Sequence, residues 1–319
     1  DREEMIAALR QAVLQPQTSD QGRIGALTIL ERFIGLPPDD ELLESLRDPD
    51  GAAVSSLEEV LRQVERDPAV LVEYVRGLDR QEPDVVLSVC RALREIIADT
   101  RAVEPLRAMA QDVRTEIAVE ALYSLGALRL PEAARALQTL IPAVAPELRP
   151  LAERLLRKLR FAGVEVGALP APEPHWRALV SAVDGLGQQS VWFIQEERGA
   201  AQARFLNVLI SDRAGAVEAA SHGQISVLSL PPRRPAGHVH DIALPDGSGA
   251  LLMLETAFDL GRRLVVEGLA SNRETQIPVA GILRLYSPWL WAVSGAESLP
   301  SWSLPDLEGN IDTLVAMSD

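Results

Sequence analysis

His238-Val-His240-Asp241 is the sharpest polar cluster in the chain. Alternate residues of a strand share one face, so two imidazoles spaced by two can grip one metal ion. A transition-metal site needs further donors, and His175, His222 and Glu255 are the candidates for them. The competing reading is a histidine pair exposed on a proline-rich loop. Set beside Ser211 and Asp212, the same pair would supply the parts of an acyl-transfer triad. No Gly-x-Ser-x-Gly turn accompanies it, so a nucleophile elbow is not expected. Asp212 ends an apolar run, and strand ends that meet helix starts often bind ligands. Helix capping explains Asp212 without a ligand and is the reading favoured. Neither a Walker-type loop nor Gly-x-Gly-x-x-Gly occurs, so nucleotide binding has no support and no cofactor is expected. The single cysteine, Cys90, rules out an intrachain disulfide and reads as a small core hydrophobe.

The binding candidates are basic and aromatic. Arg154, Arg157, Lys158 and Arg160 cluster at the end of the last helix expected in the first half. Cations there complement the helix dipole, and a solvated face is expected, with a phosphate or acidic-peptide contact as the alternative. Arg233 and Arg234 form a smaller instance on a loop. Trp289 and Trp291 flank Leu290 after Pro288; exposed they would anchor an interface, and buried they would fill a core. The site candidates are thus Arg154, Arg157, Arg160, Trp289 and Trp291 for binding, and His238 and His240 for a metal. Against 31 basic residues stand 46 acidic ones, a net charge of -15. Nucleic acid and anionic membrane both ask for a basic footprint, so neither is a favoured partner.

These residues must be held by elements, and the first half shows which. Ala26, Leu27, Leu30 and Phe33 form an apolar stripe at helical spacing. So do Leu57, Leu61 and Val64; Val89, Cys90, Leu93 and Ile96; Ala121, Leu122, Leu125 and Leu128; and Leu155, Leu156 and Leu159. Equivalent positions recur at intervals of 31 to 34 residues, the mark of stacked helical hairpins. Shorter helices are expected between them at 38–47, 67–79, 100–111 and 131–142, with one more at 2–14. Asp67, Asp99 with Thr100, and Pro131 stand where helix starts need them. Residues 112–126 carry Asp112, Arg114, Ala118, Ala121 and Leu125 in a pattern that resembles the second helix of a HEAT repeat. The likeness is to the short form related to phycobilisome-lyase repeats, with Asp84 near Pro83 a weaker copy. It covers about half the chain. The resemblance implies an α-solenoid used for protein–protein contact, and in some members an enzyme or a nucleic-acid repair role.

Three prolines within 170–174 break the pattern. The expected organisation is a HEAT-like helical domain at 1–162, a semi-rigid linker at 163–175 and a domain at 176–319. The fold class expected is multidomain: an all-α superhelix followed by a smaller α+β domain. In the second half, a helix is expected at 176–185, strands at 190–196 and 203–210, and a short helix from Asp212 to about Ala220. A loop at 229–249, a strong helix at 250–271 with Asp259 and Arg263 paired outside it, and a third strand at 279–286 follow. A tail with Trp289, Trp291 and Trp302 packs back. No leader and no long apolar run is present, so a cytoplasmic protein without a membrane partner is expected; Asp1 in place of methionine points to a preceding segment. The functional expectation is a non-enzymatic scaffold or adaptor that binds a protein partner through the helical surface. The alternatives are a small-molecule or metal-dependent enzyme in the C-terminal domain, and nucleic-acid binding through the solenoid, which the acidic charge disfavours.

Overall fold

Each apolar stripe of the first half buries itself by pairing, and the pairs stack. The computed structural model describes residues 2–15, 17–36, 42, 49–196, 199, 201–243 and 249–295. α1 (Arg2–Leu14) packs on α2 (Asp20–Thr28), which continues as a π-helical turn through Ile34. After α3 (Pro49–Val64) come α4 (Ala69–Leu78) with α5 (Pro83–Ala92), and α6 (Val103–Met109) with α7 (Thr115–Ala127). The last pair is α8 (Pro131–Leu140) and α9 (Arg149–Phe161). The helix expected at 38–47 and Trp302 fall outside the described residues, apart from Leu42.

Local chemistry sets the ends. Asp67 Oδ1 accepts from the Ala69 N–H at 2.9 Å and Asp99 Oδ1 from that of Arg101 at 2.8 Å. Asp112 does the same for Arg114, whose guanidinium reaches the carbonyls of Leu78 (3.1 Å) and Gln81 (2.7 Å) at the close of α4. The Asp-x-Arg opening thus ties one pair to the previous one. α5 runs into a π-helical turn at Leu93–Ile97, and the extra residue rotates its stripe. Ile97 is therefore buried, while Ile96, expected inside, is 56% exposed.

Cys90 meets Met109 Sδ at 3.6 Å in this core, and burial pushes its thiol up to about 12. The native protein should leave a thiol-specific disulfide reagent unreacted near neutral pH and release one thiol on unfolding. Prompt reaction of the folded protein would contradict the placement.

The second half departs from expectation at five elements. β1 (Arg177–Ser181) replaces the helix at 176–185, and β4 (Gly215–Ser226) replaces the one after Asp212. The two strands expected between them are β2 (Gln188–Glu196) and β3 (Gln202–Ser211). β5 (Val239–Ala243) emerges from the expected loop. The segment at 250–271 begins as β6 (Ala250–Ala257) and turns into α10 (Phe258–Thr275) only at Phe258. Its Leu, Met, Ala and Glu favour helix, but β6 is paired on both sides, with β1 and β5, and pairing overrides propensity. Residues 279–286 hold the helix α11 (Gly281–Tyr286) rather than a strand, followed by α12 (Pro288–Trp291). On α10, Asp259 pairs with Arg262, not Arg263, which bonds Glu267 at 2.7 Å.

The strands form one antiparallel sheet in the order β4-β3-β2-β1-β6-β5. α10 covers one face, where Ala178, Val191, Phe193 and Leu206 meet Phe258, Val265 and Leu269. The approach is close at Gly261, where a Cβ would lie 2.7 Å from that of Ala178 and 2.8 Å from the Phe193 ring. The opposite face buries Leu179, Ile194, Phe205 and Met253 under Leu230.

The expected all-α superhelix with a smaller α+β domain is therefore corrected to a mixed α/β fold, about 52% helix and 19% strand. The sheet is twice the expected number of strands, and its core continues into the helices through Val113 and Ala143. α11 packs on α4, α6 and β4, and α12 on α8. Arg107 of α6 donates to the carbonyls of Arg284 (2.7 Å) and Leu285 (2.9 Å), and Gln111 also donates to that of Arg284 (3.0 Å). The Arg284 guanidinium, 1% exposed, returns to Asp79 at 2.9 Å. Among the described residues no helix is long and apolar enough to cross a membrane.

Candidate functional site

Sheet register places three polar side chains on the face away from α10. Leu179 of β1 lies opposite Glu255, so Arg177 and Glu255 share that face, and His240 of β5 joins them opposite Met253. Arg177 Nη1 donates to Glu255 Oε2 at 2.9 Å and Oε1 at 3.2 Å. His240 Nε2 lies 2.6 Å from Glu255 Oε2. The three side chains are 3%, 3% and 6% exposed, so one carboxylate answers two buried nitrogen groups. Arg177 Nη2 continues to Glu196 Oε1 (3.2 Å) and the Pro231 carbonyl (2.6 Å), while its Nε has no acceptor.

The residues predicted for chemistry are only partly brought together. The His238 and His240 rings meet edge to face, 4.8 Å between centroids, with His238 exposed. Glu255 is the suggested companion that reaches them, bonding His240 through Nε2. Among the described residues, no group of three or more His, Cys, Asp and Glu is arranged to hold a metal ion. His222 lies against Phe205 on β4, five strand spacings or about 24 Å from β5. Asp212 closes the β3–β4 turn, its N–H donating to the Gly187 carbonyl at 2.9 Å, four spacings from His240. The pieces of the acyl-transfer triad are thus apart.

Arg177 went unnoticed because its segment reads as a helix; the tell was a β-pairing context that one segment alone does not carry. It walls a cavity of about 340 Å³ together with Trp176, Arg233, Arg234 and Thr256. The start of α10 forms another side of the same cavity, through Ala257, Phe258 and Asp259.

The binding candidates of the first half lie elsewhere. Arg154, Arg157, Lys158 and Arg160 are exposed on α9, with Arg157 3.6 Å from Glu153. Phe161, beside them, is 90% exposed. Trp291 is core, whereas Trp289 is half-buried, sets its edge on Phe193 and reaches a groove of about 570 Å³ between α6, α8 and α12. Comparison with family models, curated proteins and solved structures finds no match to this chain.

Proposed function

We propose that this chain is a non-enzymatic scaffold that holds a protein partner on the layer formed by α5, α7 and α9. The observation that carries the reading is an asymmetry between the two helical layers. α4, α6 and α8 are covered by α11 and α12 of the same chain. The other layer keeps Ile96, Tyr123 and Phe161 exposed, and large exposed apolar side chains grouped on one surface favour a protein contact. Arg91, Tyr123 and Arg157 take equivalent places on successive helices and are all exposed, so a cation–aromatic–cation row crosses the layer. In a chain of net charge -15, that row suits an acidic segment with apolar side chains.

The test uses the full chain as bait, with Tyr123→Asp and Arg157→Glu introduced together. Both side chains are exposed, so the variant should keep the wild-type melting temperature within a few degrees. A partner bound by the wild type should bind the variant at least about tenfold more weakly, because a central aromatic and a matching charge are both removed. Equal affinity for the two chains would end the proposal.

A further inference from the structure

We infer that the groove between α6, α8 and α12 is the seat of this chain's own segment 298–305, with Trp302 as its anchor. The groove encloses about 570 Å³, and Val103, Pro131, Val166, Pro288, Trp289 and Ala292 give it an apolar wall. Trp289 is half-buried: it sets one edge on Phe193 and lines the groove. Covering such a wall with apolar side chains is favourable.

The path of the chain supplies the occupant. Just past Ala292 of the wall, the Ser294 N–H donates to the Pro170 carbonyl at 2.7 Å. The Ser294 carbonyl accepts from Arg262 Nη2 at 2.9 Å. Residues 296–319 therefore leave from a point pinned beside the groove. The groove also prolongs an interface the chain already makes with itself, since α11 lies on α4 and α6 and α12 lies on α8.

Charge selects the part of the tail that fits. Ser298-Leu-Pro-Ser-Trp-Ser-Leu-Pro305 carries no charge and brings Leu299, Trp302 and Leu304. Beyond it stand Asp306, Glu308, Asp312 and Asp319, with no basic residue among them. The groove wall holds Glu104, Glu132 and Glu165 against Arg107 and Arg135. Arg107, only 3% exposed, is already taken up by Glu104 and the carbonyls of Arg284 and Leu285. Such a wall repels the acidic run and accepts the uncharged one. Tethering adds to the preference: a short link gives an effective concentration on the order of millimolar. Pro300 and Pro305 also reduce the entropy lost when the segment settles.

Crosslinking of the full chain tests this seat. Glu132→Cys, exposed on α8 at the groove, is combined with Ser303→Cys beside Trp302; Arg157→Cys on α9 with Ser303→Cys is the comparison. Cys90 is buried and stays out of the reaction. A short bismaleimide should join the groove position to position 303 within one chain at least about tenfold faster than it joins position 157. Trp302→Ala should slow the groove reaction about tenfold, and Trp302→Phe should restore most of it. Circular dichroism checks that each variant keeps its helices, and Glu165→Cys, also exposed at the groove, replaces Glu132→Cys if it does not. Equal rates at the two positions, or a groove rate indifferent to Trp302→Ala, would overturn the seat; a groove reserved for another protein gives that result. Links formed only between two chains, seen as dimers on a denaturing gel, would assign the groove to a second copy and overturn it as well.

Discussion

Glu255→Ala is expected to lower folding stability by about 3–5 kcal/mol, the loss typical when one partner of a buried ion pair is removed. The carboxylate accepts from Arg177 at 2.9 Å and faces His240 at 2.6 Å, and neither neighbour has solvent to fall back on. Removing it leaves a guanidinium enclosed near the middle of a six-stranded sheet, with only Glu196 and one carbonyl to answer it. His240→Ala deletes only one of the bonds and should cost less, about 1–3 kcal/mol. The ordering separates charge from shape. Glu255→Leu with Arg177→Met should recover part of the loss of Glu255→Ala, because an apolar pair needs no compensation. Urea titration at a fixed pH reads all of these from the shift in midpoint at constant slope. A midpoint for Glu255→Ala within error of wild type would mean that the carboxylate is not the keystone of this cluster.

The first half was legible because a helix records its burial in its own sequence. Val86, Cys90, Leu93 and Ile97 face one core, each about one turn from the next, so a short window carries the signal. Its slip among the described residues, Ile96 for Ile97, comes from a π-helical turn that even spacing does not encode. A strand records less. β6 is buried between β1 and β5, and what makes Ala250–Ala257 a strand is Arg177–Ser181, more than 70 residues earlier. β1 and β6 therefore both resemble helix in sequence, each lacking the other as context. The site followed the same rule. Residue type alone makes His240 and Glu255 possible companions, and the sheet does join them. Arg177, which completes the cluster, sat in a segment whose strand character depends on both neighbours. The pairing of Asp259 with Arg262 rather than Arg263 is a smaller case: spacings of three and four both fit a helix, and Arg262 is the residue the core encloses.

Arg284→Ala should be comparably damaging, by about 3–5 kcal/mol, for a different reason. Arg284 joins the two halves of the chain in both directions. Its side chain enters the helical half to meet Asp79 at 2.9 Å and bonds the Val279 carbonyl at 2.9 Å, while its own carbonyl accepts from Arg107 and Gln111. Burial raises the Asp79 carboxyl above its usual range even with Arg284 beside it. That direction has a consequence for pH. A raised native value means the contribution of Asp79 is fully present below its unfolded value and declines as pH rises through the native one. Acid alone should therefore not open the clasp through this group, whereas loss of the arginine leaves Asp79 enclosed without its cation. Arg107→Ala removes a donor to backbone carbonyls and should cost less, about 1–3 kcal/mol. Calorimetry distinguishes the clasp from an ordinary core contact. If Arg284 couples the halves, the wild type should melt in one transition and Arg284→Ala in two, one for the helices and one for the sheet. A uniform downward shift of one transition would show that the shared core at Val113 and Ala143 holds the halves together without it.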